Sequence, residues 1–145
     1  MNARQALAMS LMFFAAGATA QTSAQEIDAA NKAWRDSLPE ATADYGAYPS
    51  NYETIVRAYL GKSLKDPESA RYGEFTKPEK DQAIESVGQR RALYGYVTCV
   101  DVNAKNSYGG YTGAQRYWFL IRDDSVVRYG TGNMYIDHAP KCLTR

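Results

Sequence analysis

The feature that most constrains this chain is its first 20 residues. Arg4 supplies a positive start, Ala6 to Ala16 form an apolar stretch broken only by Ser10, and Ala18-Thr19-Ala20 fits the small-x-small cleavage rule of a secretory signal. A membrane-spanning helix needs about 20 apolar residues, whereas this run ends before the polar segment Gln21 to Asp28. The expectation is therefore a signal peptide over 1–20, a mature chain over 21–145 without a membrane span, and a periplasmic or secreted location. A lipid anchor of the bacterial type needs a cysteine at the cleavage point, and none precedes Cys99.

Export gives the two cysteines their meaning. An oxidising compartment lets thiols pair and persist, and Cys99 and Cys142 are the only candidates. In the chain-entropy view, closing a loop of this length stabilises a fold by about 4 kcal/mol. A nucleophilic cysteine beside His138 would need a free thiolate, which the same compartment opposes.

Removing residues 1–20 from the 145 leaves 125, enough for one domain, and takes away only Arg4 among the charges. The balance of 17 basic against 16 acidic groups becomes 16 against 16. Such a chain has no electrostatic footprint for nucleic acid or an anionic membrane. With 12 Tyr, 2 Trp and one His, it is rich in contact-forming groups and poor in groups that move protons near neutral pH.

The amino-terminal part reads as helical. Ser23 and Glu26 have the spacing of a capping box, followed by Ile27, Ala30, Trp34 and Leu38 on one face up to Pro39. Residues 39–49 read as a linker or ordered loop. Ser50 and Glu53 form a second such box before Tyr52, Ile55, Val56, Tyr59 and Leu60, with Gly61 as the stop. Asp66-Pro67-Glu68-Ser69 has a cap and a first-turn proline, hence one short turn. A strand is expected from Ala70 through Phe75, and Thr76 to Arg91, being polar with Pro78 and Gly88, reads as loop or short weak structure.

The remainder reads as β. Leu93 to Val102 carries apolar groups on both faces, as a central strand does. Tyr117 to Ile121 is a second strand, and Asp123-Asp124-Ser125 turns it into a third with Val126, Val127 and Tyr129. Alternation puts Trp118 and Leu120 on one face and Tyr117, Phe119 and Ile121 on the other; left uncovered, the second face would be an apolar binding patch. The fold expected is α+β: amino-terminal helices packed on a small, mostly antiparallel sheet, with one disulfide.

Residues 103–113, joining the two best strands, carry the strongest local signal. Asn103, Lys105, Asn106, Tyr108, Gly109, Gly110 and Tyr111 combine a backbone able to reach positive φ with large amphipathic rings, the composition of a contact loop. The competing reading is a hairpin connection whose tyrosines fold onto the sheet while Asn103 and Asn106 hold the turn.

Leu64-Lys65-Asp66-Pro67-Glu68-Ser69-Ala70-Arg71-Tyr72, with Cys99, Val102-Asn103-Ala104-Lys105-Asn106 and Gly109-Gly110-Tyr111-Thr112-Gly113, resembles a group of small exported or lipid-anchored bacterial and phage-encoded proteins with no assigned activity. The resemblance spans about half the mature chain, Leu64 to Phe119, and implies no catalytic residue. Val100 stands where that group commonly has glycine after the cysteine, and the lipid-attachment cysteine is missing.

Catalytic chemistry finds little support. His138 beside Asp137 has no second histidine to complete a zinc site. Asp123 and Asp124 beside Ser125 are ordinary turn residues, not a calcium cage of six to eight oxygens. No phosphate loop or nucleophile elbow occurs. The reading is a non-catalytic envelope protein without cofactor or metal, binding a protein through the Tyr/Gly loop and adjoining strand face. The alternative is a module for glycan or peptidoglycan, with a hydrolytic carboxylate pair drawn from Glu40, Asp44, Glu53 and Glu68.

Protein recovered from the envelope should be lighter by two hydrogens in non-reducing mass spectrometry than the sequence mass, with Cys99 and Cys142 peptides linked. Two alkylatable thiols would remove the staple.

Overall fold

A computed structural model describes residues 16–40, 42–111, 113–132 and 139–143. The chain divides into two units, residues 1–38 and 39–145. In the first, helix α1 spans Ala16–Asp36 and carries a Lys32–Asp36 ion pair at 2.6 Å. This helix begins before the expected cleavage point, and Ser23 lies inside it rather than at its start. The run Ala16, Ala18 and Ala20 explains the extension, since alanine is the best helix former. Ile27, expected on a packed face, is 60% exposed. No described helix is long and apolar enough to cross a membrane.

The second unit is built on an antiparallel sheet of five strands: β1 (Arg71–Tyr72), β2 (Glu79–Ser86), β3 (Arg91–Asn103), β4 (Gln115–Arg122) and β5 (Ser125–Gly130). The 13-residue β3 is central, as its two apolar faces predict. It pairs with β2 along its first half, with β1 at its end and with β4 on the other side. Asp123 and Asp124 have φ of 49° and 56°, so the β4–β5 connection is a two-residue turn with left-handed conformation at both positions, the geometry that matches strand twist. Gly95 lies under the Ile121 carbonyl, where a Cβ would come within 2.5 Å of the oxygen; only glycine lets β4 approach β3 so closely there.

The two faces hold separate clusters. On one, Val100, Val102, Phe119 and Ile121 join Phe75 and the α2 residues Val56 and Leu60, α2 being Tyr52–Ser63. Phe119 and Ile121 are thus fully buried, so the apolar face raised as a binding patch is occupied. On the other, Ala83, Val97, Cys99, Trp118 and Leu120 pack with Cys142 from the Lys141–Leu143 3-10 turn. Cys99 and Cys142 are bonded, with Cα atoms 5.7 Å apart.

Several local expectations change, and the strand expected from Ala70 through Phe75 is confined to Arg71–Tyr72. The polar stretch read as loop or short weak structure from Thr76 to Arg91 contains β2, eight residues paired with β3. Its polar core is what hid it: Asp81 is 1% exposed, yet its carboxylate accepts the Lys141 backbone N–H at 2.9 Å and the Gln82 N–H at 2.8 Å. Burial of a charge is tolerated where such bonds compensate it, and this compensation comes from a segment 60 residues away. Second, α2 begins at Tyr52 with Asn51 at the cap and no side-chain cap bond, so the Ser50/Glu53 box does not form, and Glu53 reaches Arg57 instead at 3.9 Å. Third, Gly61 does not stop α2, which continues to Ser63 because open space surrounds the glycine and nothing forces a turn there. The Pro67–Ser69 turn forms with Pro67 at its first position, but Asp66, expected as its cap, makes no side-chain cap bond. The 39–49 segment is irregular and anchored: the Tyr45 hydroxyl donates to the Glu40 carbonyl at 2.8 Å, and Arg122 holds Asp44 at 2.6 Å.

Asp81→Ala removes the acceptor of two backbone amides, those of Gln82 and Lys141, and should lower stability by about 3 kcal/mol, whereas Ser50→Ala should change it by less than about 0.5 kcal/mol because no cap bond is lost. Urea denaturation of both variants checks this; a reversed order would put the constraint at the helix start.

Candidate functional site

Beyond Asn103 the end of β3 continues as a narrow ribbon. Lys105 and Tyr111 form an isolated antiparallel bridge, and the Asn106 N–H donates to the Gly110 carbonyl at 2.9 Å. Asn106 is the organiser of the tip. Its Oδ1 accepts the amides of Tyr108 at 2.9 Å and Gly110 at 3.1 Å, while its carbonyl accepts the Gly109 N–H at 3.0 Å. Gly109, at φ +80°, supplies the left-handed residue the turn requires. The expectation that asparagine bonds its own neighbouring backbone applies to Asn106. It does not apply to Asn103, whose Oδ1 is buried without a partner.

The two tyrosines separate. Tyr108 is 97% exposed at the tip, and Tyr111 is 40% exposed, with its hydroxyl donating to the Ser69 carbonyl at 3.2 Å. The Arg71 guanidinium lies 4.7 Å above the Tyr111 ring and the Lys105 ammonium 5.7 Å from it, both within cation–π range. Tyr108 projects into solvent, and Tyr111 lies against the Pro67–Ser69 turn rather than folding onto the sheet.

That turn is the other half of the site. The Lys105 N–H donates to Ser69 Oγ at 3.1 Å, Ser69 Oγ donates to the Asp66 carbonyl at 2.8 Å, and Lys65 Nζ donates to Ser107 Oγ at 2.9 Å. Arg71 pairs with Asn103 in the sheet. The segments Leu64–Tyr72 and Asn103–Tyr111, distant in sequence, form one contiguous structure. Lys65, Ser69, Arg71 and Ser107 were not picked out as site residues by sequence reasoning. Nothing local to either stretch signals the contact, because it is made between residues 36 and 42 positions apart in the chain. Thr112 lies outside the described residues.

The carboxylates considered for hydrolysis sit elsewhere, each with its own surroundings. Glu40 lies 3.7 Å from Lys141, Asp44 pairs with Arg122, Glu53 faces Arg57, and Glu68 is exposed on the Pro67–Ser69 turn. The Gly46 N–H and then Arg122 hold the Asp44 carboxyl below its ordinary value, opposite to the shift a general acid needs. Among the described residues no group of three His, Cys, Asp or Glu side chains is placed to hold a metal ion, and His138 lies outside them. Comparison with family models, with curated proteins and with solved structures gave no match.

Tyr111→Ala removes a ring contacted by two cations and a hydroxyl bond, and should cost about 1 to 2 kcal/mol. Tyr108→Ala should stay within about 0.5 kcal/mol of the parent, as exposed positions do. Thermal melts of the two single variants test the separation; equal losses would place Tyr108 in the packed structure.

Proposed function

We propose that the protein is an exported, non-catalytic envelope component that binds another protein through the 103–111 loop, with Tyr108 as the anchoring ring. The observation that carries this reading is a fully exposed aromatic at the tip of a loop held in shape by Asn106 and braced by Ser69 and Lys65. An aromatic on an unstructured loop must have its backbone ordered on binding. A pre-organised aromatic, in contrast, contributes contact area with little ordering cost, because two torsions fix its ring. The neighbouring strand face, first considered as part of the surface, is buried under α2 residues, so the surface is assigned to the loop and the Pro67–Ser69 turn. The leader pattern and the buried cystine support an oxidising location outside the cytoplasm.

Photocrosslinking in cells with p-benzoylphenylalanine at position 108 tests the reading. A discrete protein adduct is expected at position 108 and not at Val127, an exposed control on β5. Equal labelling at both positions, or Tyr108-dependent co-sedimentation with purified cell wall without any protein adduct, would overturn it in favour of the glycan reading.

A further inference from the structure

The loop is surrounded by cations that the protein leaves unneutralised. Lys65, Arg71 and Lys105 are all placed by the contacts of one small surface: Lys65 through Ser107, Arg71 and Lys105 through the ring of Tyr111. Elsewhere Arg57 pairs with Glu53, Arg91 with Glu85, Arg116 with Asp101 and Arg122 with Asp44, while other described basic side chains, such as Lys77 and Arg128, are in no ion pair among the described residues. Among the described residues none of the three loop cations is in an ion pair. The acids nearest in sequence, Asp66 and Glu68, stand on the same turn but do not reach them; Asp66 contributes its carbonyl to Ser69, and Glu68 is exposed.

We infer that the surface formed by Lys65, Arg71, Lys105 and Tyr108 takes an acidic peptide segment of its protein partner, with an apolar residue of that segment against the Tyr108 ring. The inference rests on the loop being a protein-contact surface and adds the chemistry of what it contacts. The Arg71 guanidinium carbon lies 4.7 Å from the Tyr111 ring centroid, and its N–H groups, engaged in no ion pair among the described residues, can make a forked bond to carboxylate. Lys105 and Lys65 flank it as point charges. Two cations on the braced Tyr111 ring and a third on Ser107, next in sequence to the projecting Tyr108, suit a short segment with a few carboxylates. A polyanion such as nucleic acid needs a longer basic track, and a lipid surface a denser one, neither of which the balanced composition supplies.

The probe is a fluorescent peptide of about a dozen residues, rich in Glu with one central Trp, compared with its Gln-for-Glu counterpart. Fluorescence anisotropy with the purified protein should show binding to the acidic peptide that is at least about tenfold tighter than to the neutral one, and weakened between about 0.02 and 0.5 M salt. Lys65→Gln, whose ammonium meets only an exposed serine, should weaken binding about threefold, and Arg71→Gln with Lys105→Gln about tenfold or more. Thermal melts verify that each variant is folded, and Lys65→Gln decides the matter should the double variant melt early. Equal affinity for both peptides, salt-independent binding, no binding of the acidic peptide at low salt, or tighter binding to phosphatidylglycerol vesicles than to the peptide would each overturn the inference. A specific protein adduct at position 108, together with indifference to all three charge changes, would leave the contact-loop reading standing while removing the acidic partner. Absence of the adduct, in contrast, strikes the contact loop itself.

Discussion

Cys99 stands in the middle of the central strand, and its bond to Cys142 draws the carboxyl-terminal turn onto the face that carries Val97, Trp118 and Leu120. That tether has a polar counterpart one strand away. The buried Asp81 carboxylate receives the Lys141 amide, and the Lys141 side chain reaches back to the Lys80 carbonyl at 2.9 Å. Covalent bond and charge-assisted hydrogen bond thus fix neighbouring residues, 141 and 142, against β2 and β3 together. Without the turn, Asp81 would lose a donor, Trp118 and Leu120 would lose a cover, and the polar strand β2 would lose the reason to stay paired.

With that face closed by a short turn, the opposite face is covered by the side chains of α2 and Phe75. Its aromatic packing is continuous: Tyr59 meets Phe119 edge-on at 6.2 Å, and Phe119 stacks with Tyr129 at 6.1 Å. Such ring pairs add to area burial and orient the side chains. A consequence for function is that the strand face, the most apolar surface in the sequence, is unavailable to a partner. Exposed aromatic surface lies instead at the margin of the sheet, where the 103–111 ribbon carries Tyr108.

The ribbon owes its shape to local and distant bonds acting together. Asn106 and Gly109 would make a turn in any context, because the amide side chain and the left-handed glycine satisfy the backbone locally. What positions that turn is the Pro67–Ser69 segment, which supplies a hydroxyl to Lys105 and a carbonyl to Tyr111. Proline at the first turn position and the β1–β3 pairing immediately after it hold that segment in place. The result is one exposed ring, one braced ring and a cluster of uncompensated cations, assembled from two stretches that lie far apart in the chain.

The sequence by itself determined what depends on neighbours along the chain and on alternation: the central position of β3, the two-residue turn at Asp123 and Asp124, the segregation of Trp118 and Leu120 from Phe119 and Ile121, the short proline-led turn, and the only cystine two cysteines permit. These follow from side-chain period and backbone preference, which act within a few residues. The tertiary structure alone decided that Glu79–Ser86 is a strand, since a carboxylate in its interior is acceptable only when Lys141 arrives to bond it. It alone decided that α2 starts without a serine cap, because its place is set by Val56 and Leu60 in the core more strongly than by one hydroxyl bond. And it alone divided Tyr108 from Tyr111: the two rings are equivalent in composition, and only the arrival of Ser69 and Arg71 from a distant segment braces one and leaves the other in solvent.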